Sequence, residues 1–401
     1  LAKKDTVAMS VPVVQAMSQQ ASPGAKVDFA IWGTVAQSIR YSNVAREIWL
    51  DSKLDPTVPT ASVVMACATS LMAAIEAAGM VSRGRGELAV AGGVESMSHV
   101  QIGLAQPLSD WLRQLSQSRD WRQRAKTATK PAGFGLSVPS LKNRTTRKSM
   151  GEHCEEMAKT WDIGREEQDA LALKSHQNAV AAQKRGFFND LIVPVDGVNR
   201  DAFPRETTSL AGLAKLSPSF DRTSGRGTLT AGNSSPLTDG AAGSWVVSDE
   251  GLSRLPSSVP RVRFVDSEIA AVDVMNEGLL MAPAYAIPRL LARNGLRYED
   301  IGLWEIHEAF AAQVLCTVKA LETPSFLKDK VGIDAVLGAF PRDRVNLNGG
   351  SVALGHPFGA TGARLLSQTT KELASRPSGT RAIISICADG GLGAVALLEA
   401  A

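Results

Sequence analysis

Four side chains in this chain of 401 residues are of types that could do chemistry together: Cys67, His307, His356 and Cys387. Cys67 ends the apolar run 63–66, and a helical pattern through Leu71, Ile75 and Met80 follows it. At a strand-to-helix junction the free N–H groups and the helix dipole favour a thiolate. Ala68, Thr69 and Ser70 are small enough to let a carbonyl approach the sulfur. An unpaired cysteine can equally be a buried small hydrophobe. His307 opens the segment His-Glu-Ala-Phe, His356 sits in the glycine-rich stretch 345–362, and Cys387 precedes Ala-Asp-Gly-Gly. A lone histidine is more often structural than catalytic. Two histidines and two cysteines, each at a glycine- or alanine-lined turn, fit carbon–carbon acyl transfer. A thiolate attacks a thioester or ketone carbonyl, a histidine activates it, and a second acid/base moves a proton at the α-carbon. Oxyanion donors must then hold the enolate and the tetrahedral intermediate.

The surrounding pattern supplies elements to carry these groups. A helix is expected over 1–20, a buried strand over 27–35, a helix over 43–50, and a strand over 87–96 running into a glycine turn at Gly92-Gly93. The stretch 149–184 reads as helix and 195–227 as polar loop. Asn233, Ser234 and Ser235 offer polar groups to a ligand, or simply to their own turn. Helix over 282–294 and strand over 301–306 follow, and the chain closes on a strand, a Gly390-Gly391 turn and a second strand. Alternating strands and helices argue for a layered α/β fold. The rhythm of the second half repeats that of the first, which suggests duplication.

The composition is that of a globular α/β protein, with 44% hydrophobic and 21% charged residues. A net charge of +3 offers no electrostatic case for nucleic acid as the main partner. The four cysteines, at 67, 154, 316 and 387, show no zinc-type spacing and no disulfide framework. No metal site is therefore expected. Free thiols, no membrane-length apolar run and no signal peptide lead to a cytoplasmic expectation, or the mitochondrial matrix in a eukaryote.

Residues 101–150 differ from the rest. Trp111, Leu112, Leu115 and Trp121 are interleaved with Arg113, Arg119, Arg122, Arg124 and Lys126, and further basic residues follow. One reading is a solvated helix pair covering the main body. The other is a surface for acidic groups, either substrate phosphates or an anionic membrane.

Taken in order, several segments resemble the thiolase family over nearly the whole chain. They are Ala66-Cys-Ala-Thr-Ser, Ala91-Gly-Gly-Val-Glu-Ser-Met-Ser, Ala231-Gly-Asn-Ser-Ser, Asp239-Gly-Ala, His307-Glu-Ala-Phe, Gly355-His-Pro and Cys387-Ala-Asp-Gly-Gly. The resemblance is strongest to the trifunctional-enzyme β-subunit type of 3-ketoacyl-CoA thiolase. It implies two βαβαβαββ halves in an α-β-α-β-α layering, residues 1–99 with 233–257 and residues 258–401, and a loop domain over 100–232. It also implies roles. Cys67 is the nucleophile, His356 its base, Cys387 the group that moves the α-proton, and His307 the group that orients an oxyanion-hole water. Backbone N–H groups of Cys67 and of the turn at Asp389 and Gly390 would form the second oxyanion hole. Ser235 and Met157 would face coenzyme A. The substrates implied are coenzyme A and acyl-CoA, with no metal or redox cofactor. A homodimer or homotetramer is expected, with a hydratase/dehydrogenase α-type subunit or a membrane as a further partner through 101–150.

Two departures stand out. The family's opening strand falls ahead of Leu1, which would leave a gap in the centre of the first sheet. Asp389 stands where the family carries Gly or Ala, so its carboxylate either raises the nearby thiols or turns away and caps the following turn. Rival readings are a biosynthetic acetoacetyl-CoA-forming enzyme, a weakly active partner subunit, and a decarboxylating ketoacyl synthase. Cys387 argues against the last.

Overall fold

The computed structural model describes every residue of the chain except Ala335. Four strands form the first sheet: β1 (Phe29–Gly33), β2 (Thr60–Ala61), β3 (Leu88–Glu95) and β4 (Gly240–Val247), in the order β2-β1-β3-β4. β1 runs parallel to β2 and β3, and β4 is antiparallel to β3. Four more form the second: β5 (Val262–Ala271), β6 (Ile301–Ile306), β7 (Arg381–Ala388) and β8 (Leu392–Ala400), in the order β5-β8-β7-β6. Here β6 and β7 are parallel, and β8 is antiparallel to both β7 and β5. β1, β3 and β4 thus correspond to β6, β7 and β8. A single parallel bridge from Trp304 to Val345 stands in for β2. The duplication is real at the level of topology.

The expected central gap is not there. β1 pairs with β3 directly, from Phe29 opposite Ala89 to Gly33 opposite Gly93. The position that differs between the halves is an edge. β5 pairs with the outer edge of β8, whereas no strand pairs with the outer edge of β4 among the described residues.

β1 and β3 are buried along their whole length, as are the middles of β7 and β8. Strands covered on both faces read as continuous apolar runs, which is how these stretches look in the sequence. Between the sheets lie the helices Thr69–Ser82 and Thr361–Ala374, which begin just after Cys67 and His356. They touch closely because Gly362 has no side chain; a Cβ there would meet the Leu71 nitrogen at 2.3 Å. The Ala363 N–H donates to Ser70 Oγ at 2.8 Å across the same contact. This packing brings the two helix starts, and with them the thiol and the imidazole, to one place.

Three sequence expectations change. Gly92 and Gly93 lie inside β3, not in a turn after it. A Cβ on Gly93 would come within 2.1 Å of the Gly359 carbonyl, so the glycine lets β3 press against the loop carrying His356. The apolar run 63–66 is not a strand; pairing stops at Ala61. The stretch 149–184 is two helices, Met150–Thr160 and Arg165–Lys184, separated at Asp162, whose φ is +50°. The first of them buries Cys154 and Met157 in a core shared with the helices Ala282–Arg293 and Ala311–Leu321. Part of the inserted segment is therefore built into the second half.

Candidate active site

Cys67 sits in a short 3-10 turn, Ala66–Ala68, immediately ahead of the helix Thr69–Ser82. Ala66 takes a left-handed φ of +44°, which is unfavourable for a residue with a Cβ. Thr69 holds that kink from both sides. Its hydroxyl donates to the Ala66 carbonyl at 2.7 Å and accepts from the Met65 N–H at 2.9 Å. The strained residue just before Cys67 fixes the direction of its sulfur.

His356 Nε2 lies 3.1 Å from Cys67 Sγ, and His356 Nδ1 lies 2.7 Å from Thr361 Oγ1. A buried carboxylate braces the His356 loop. Glu95 accepts from the N–H groups of Val35, Ala36 and Gly359 and from the Thr34 hydroxyl, at 3.0–3.2 Å. His307 follows β6 directly, and its N–H donates to the Ser385 carbonyl at 2.8 Å. Its ring leans on that of His356 with centroids 4.2 Å apart, and its Nδ1 is 2.9 Å from Ser351 Oγ. His307 Nε2 is buried and has no protein partner.

Electrostatics in the resting site favour neutral groups. Burial pushes the Cys67 thiol up, and the Asp389 charge adds to it, to about 12. The residue is only half-buried as a whole, yet its sulfur lies deep enough for desolvation to lead. The backbone N–H groups of Cys67 and Asp389 oppose the rise without overcoming it. Helix-start stabilisation, expected to favour the thiolate, therefore loses to desolvation here. Burial, then Arg364, pulls His356 down to about 3. His307 falls well below the ordinary histidine value through burial, then through His356 and Arg364. Cys387 is buried at the end of β7, and burial, then Cys67, raises its thiol well above the usual range. Thiol and neutral imidazole therefore form the resting pair.

Asp389 does both of the things it could do. Its Oδ1 caps the Gly390 N–H at 2.6 Å and accepts from Asn143 Nδ2 at 2.8 Å, while its charge still reaches Cys67. Gly390 is a correction. Its N–H is taken by the Asp389 side chain, which leaves the N–H groups of Cys67 and Asp389 as the expected donors on this side.

Two family models match this chain: the thiolase N-terminal domain over residues 6–250 and the thiolase C-terminal domain over residues 259–400. The chain belongs to the thiolase family. Among curated relatives, a 3-ketoacyl-CoA thiolase of Yersinia pestis (strain Pestoides F) is 37% identical over 382 residues, covering 93% of this chain and 86% of the relative. One of Yersinia pseudotuberculosis (serotype O:3, strain YPIII) matches to the same extent, 37% over 382 residues. Among solved structures, a Bacillus anthracis acetyl-CoA acetyltransferase superposes with a TM-score of 0.80 at 30% identity, over 100% of this chain and 94% of that one. An Ascaris suum thiolase in complex with coenzyme A gives 0.81 at 27% identity, over 100% and 95%.

Within this thiolase the remaining expected residues are placed less simply. Ser235 donates its hydroxyl to the Ala309 carbonyl at 2.9 Å, leaving only lone pairs for a ligand. Ser234 likewise donates to Thr230, and buried Asn233 is spent on Thr228, Thr230 and Asp169. Met157 is buried in the core, and it also lines a cleft of about 640 Å³ with Thr146, His153, Trp161 and Lys330. A sulfur or ring nitrogen from each of Cys67, His307 and His356 lies within 4.8 Å of the others, a spread that could hold a metal ion. The sequence spacing gave no sign of that proximity.

Several positioning residues were not singled out from the sequence. Buried Glu308 is held by Ser175, Asn346 and the Val352 N–H, at 2.7–3.1 Å. Asn346, at φ +49°, clamps both the N–H and the carbonyl of Ile306, the residue before His307. Glu308 stands inside the His-Glu-Ala-Phe segment, so its signal was present. Asn346, Thr361 and Arg364 reach the site only through tertiary folding.

Proposed function

We propose that this thiolase is a 3-ketoacyl-CoA thiolase, cleaving 3-ketoacyl-CoA with coenzyme A into acetyl-CoA and an acyl-CoA two carbons shorter, as a step of fatty-acid β-oxidation. The observation that carries the reading is the 3.1 Å pairing of Cys67 Sγ with His356 Nε2, with Cys387 at the end of β7 just ahead of the turn at Asp389. His356 takes the thiol proton as Cys67 attacks the 3-keto carbon. The tetrahedral oxyanion is held by the N–H groups of Cys67 and Asp389. It collapses with cleavage of the C2–C3 bond, and Cys387 protonates the departing enolate of acetyl-CoA. His307 supports the enolate oxygen as a donor, directly or through a water. Coenzyme A gives its thiol proton to the Cys387 thiolate as it attacks the acyl-cysteine, and His356 returns its proton to the departing Cys67 sulfur, which restores all three groups. Every proton moves between side chains and substrate, so the proposed cycle calls on no metal or redox group.

The Bacillus anthracis neighbour is an acetyl-CoA acetyltransferase, and the same residues would serve the reverse, condensing direction. The higher identity to 3-ketoacyl-CoA thiolases favours the degradative one. Incubating the pure chain with medium- and long-chain 3-ketoacyl-CoA plus coenzyme A should yield acetyl-CoA and the shortened acyl-CoA by mass spectrometry. Activity on acetoacetyl-CoA alone would overturn the chain-shortening assignment.

The proposed assembly is a homodimer or homotetramer working in the cytoplasm or the mitochondrial matrix. We also propose that the segment 101–150 docks on an anionic membrane. No helix of the described residues is long and apolar enough to cross a membrane. The helices Gln106–Gln117 and Trp121–Ala128 instead expose Trp121 (74%), and the loop after them exposes Phe134 (83%) and Val138 (65%). Arg122 stacks over the Trp121 ring at 5.4 Å. Exposed aromatic and aliphatic side chains beside Arg119, Arg122, Arg124 and Lys126 suit a headgroup layer.

A further inference from the structure

His307 and His356 lie ring against ring in one buried site, yet their outer nitrogens are held differently. His356 Nδ1 faces Thr361 Oγ1, and that hydroxyl has no other partner among the described residues. His307 Nδ1 faces Ser351 Oγ, which also accepts from Arg364 Nη2 at 2.7 Å. This difference decides where protons can sit.

A guanidinium is all donors. Ser351 must therefore accept from Arg364, and its own hydroxyl proton needs an acceptor. Within reach among the described residues, His307 Nδ1 is the only one. Ser351 is fully buried, so a proton left unpaired there would be unfavourable. Nδ1 must then present its lone pair, and a neutral ring carries its single proton on Nε2. Nε2 is the buried nitrogen with no protein partner. Burial pulls Arg364 below the usual guanidinium value, and Asp201, Glu305 and Glu308 oppose that fall; a guanidinium stays protonated in proteins.

We propose that Ser351, held by Arg364, fixes His307 in the Nε2-protonated tautomer, so that the ring serves the reaction as a hydrogen-bond donor and not as a base. Ser351 and Arg364 are positioning residues, and the inference rests on the thiolase cycle proposed above for the use of that donor. His356 is free of such a lock. With Thr361 able to donate or accept, its ring can take the thiol proton and release it again. The two histidines thus divide the work by their hydroxyl partners, one held as a donor and the other free to exchange.

The test reads the tautomer itself. The full chain is labelled with ¹⁵N-histidine, and a long-range ¹H–¹⁵N spectrum is recorded, with His307 assigned by its absence in His307→Asn. The expected wild-type pattern has His307 Nε2 protonated and Nδ1 bare. A ring protonated on Nδ1, or an even mixture, overturns the proposal, and the wild-type spectrum alone is enough to decide. Ser351→Ala should shift His307 toward a mixture and lower kcat for 3-ketoacyl-CoA roughly 10-fold with little change in KM. That loss stays short of the ~10²–10³ expected for removing an oxyanion donor outright. An unchanged tautomer in Ser351→Ala would also overturn it. Absence of thiolysis in the wild type would count against the proposed reaction and leave the tautomer result standing.

Discussion

Asn143 and Asp389, 246 residues apart in the chain, are joined by a 2.8 Å hydrogen bond from Nδ2 to Oδ1. The bond ties the inserted segment to the turn that follows Cys387. Asn143 is itself an organising centre, its Oδ1 accepting from the N–H groups of Thr145 and Thr146 at 3.0 and 3.1 Å. Thr146 Oγ1 in turn lies 2.6 Å from His153 Nε2, at the wall of the Met157 cleft. A glycine or alanine at 389 could make none of this connection. The carboxylate anchors the loop at the expense of a less acidic Cys67 thiol.

Removing that charge while keeping the acceptor should separate the two effects. In Asp389→Asn, the side-chain oxygen can still cap Gly390 and face Asn143. Burial remains the main force on Cys67, but the Asp389 contribution is gone, so the thiol pKa should fall from about 12. Each unit of fall gives about tenfold more thiolate at any pH below the pKa. Iodoacetamide alkylation of Cys67, followed at pH 7–9 by peptide mass spectrometry, should be faster in Asp389→Asn than in wild type. Equal rates would mean that the carboxylate does not reach the sulfur.

The chemistry-bearing residues were legible because each interrupts an apolar run in a way that packing alone does not require. Cys67 stands between Ala66 and Ala68, and His356 lies among glycines, so the motifs could be read in order along the chain. Their partners were not legible. Ser351 is an ordinary helix-start serine and Arg364 an ordinary helical arginine until the helix Thr361–Ala374 folds back toward β6. Gly92-Gly93 misled for a related reason. Paired glycines usually signal a turn, but these are needed inside β3, where Trp32 and the Gly359 carbonyl come too close for any side chain. The central gap was an error of topology. Only the pairing of β5 with β8 shows that the half-sheet's first strand belongs at the edge.

Two glycines should respond to alanine with opposite signs. Gly93→Ala drives a Cβ to 2.1 Å from the Gly359 carbonyl, a backbone atom that cannot swing aside. Overpacking of this kind costs about 1–3 kcal/mol, and here it also displaces the His356 loop. Gly79 lies near the end of the helix Thr69–Ser82, and a Cβ there meets nothing within 4 Å. Gly79→Ala should stabilise by about 0.5–1 kcal/mol through helix propensity. Thermal unfolding should therefore show a lower Tm for Gly93→Ala and a higher one for Gly79→Ala. A Gly93→Ala protein of wild-type Tm and activity would show that β3 does not press on that loop.

Membrane docking through 101–150 predicts a strong dependence on charge. Arg119, Arg122, Arg124 and Lys126 form no ion pair among the described residues, so they are available to acidic headgroups. Each basic side chain near an anionic surface contributes about 1 kcal/mol. Changing all four to Glu should abolish co-sedimentation with phosphatidylserine vesicles, and adding salt should weaken the wild-type interaction in the same assay. Wild-type protein that stays in the supernatant at low salt would assign the segment to a protein partner or to a solvated cover.

The two cysteines should separate by the step each performs. Cys67 is paired with His356 at 3.1 Å, whereas among the described residues no side chain hydrogen-bonds the Cys387 thiol, which meets only its own backbone N–H. Among the described residues only Cys67 hydrogen-bonds a base, so Cys67 should carry the acyl group. Cys387 has a simpler task, passing a proton to the enolate. A buried thiol with a raised pKa suits that task, because it holds its proton until an enolate forms beside it. Incubation with acetoacetyl-CoA or a 3-ketoacyl-CoA, acid quench and intact-protein mass spectrometry should show an acyl adduct on wild type that maps to Cys67. Cys67→Ala should show none. Cys387→Ser should still acylate, though slowly, because serine is a much weaker acid toward the departing enolate. Steady-state thiolysis should collapse in both variants. An adduct mapping to Cys387, or one that persists in Cys67→Ala, would reverse the assignment of nucleophile and proton donor.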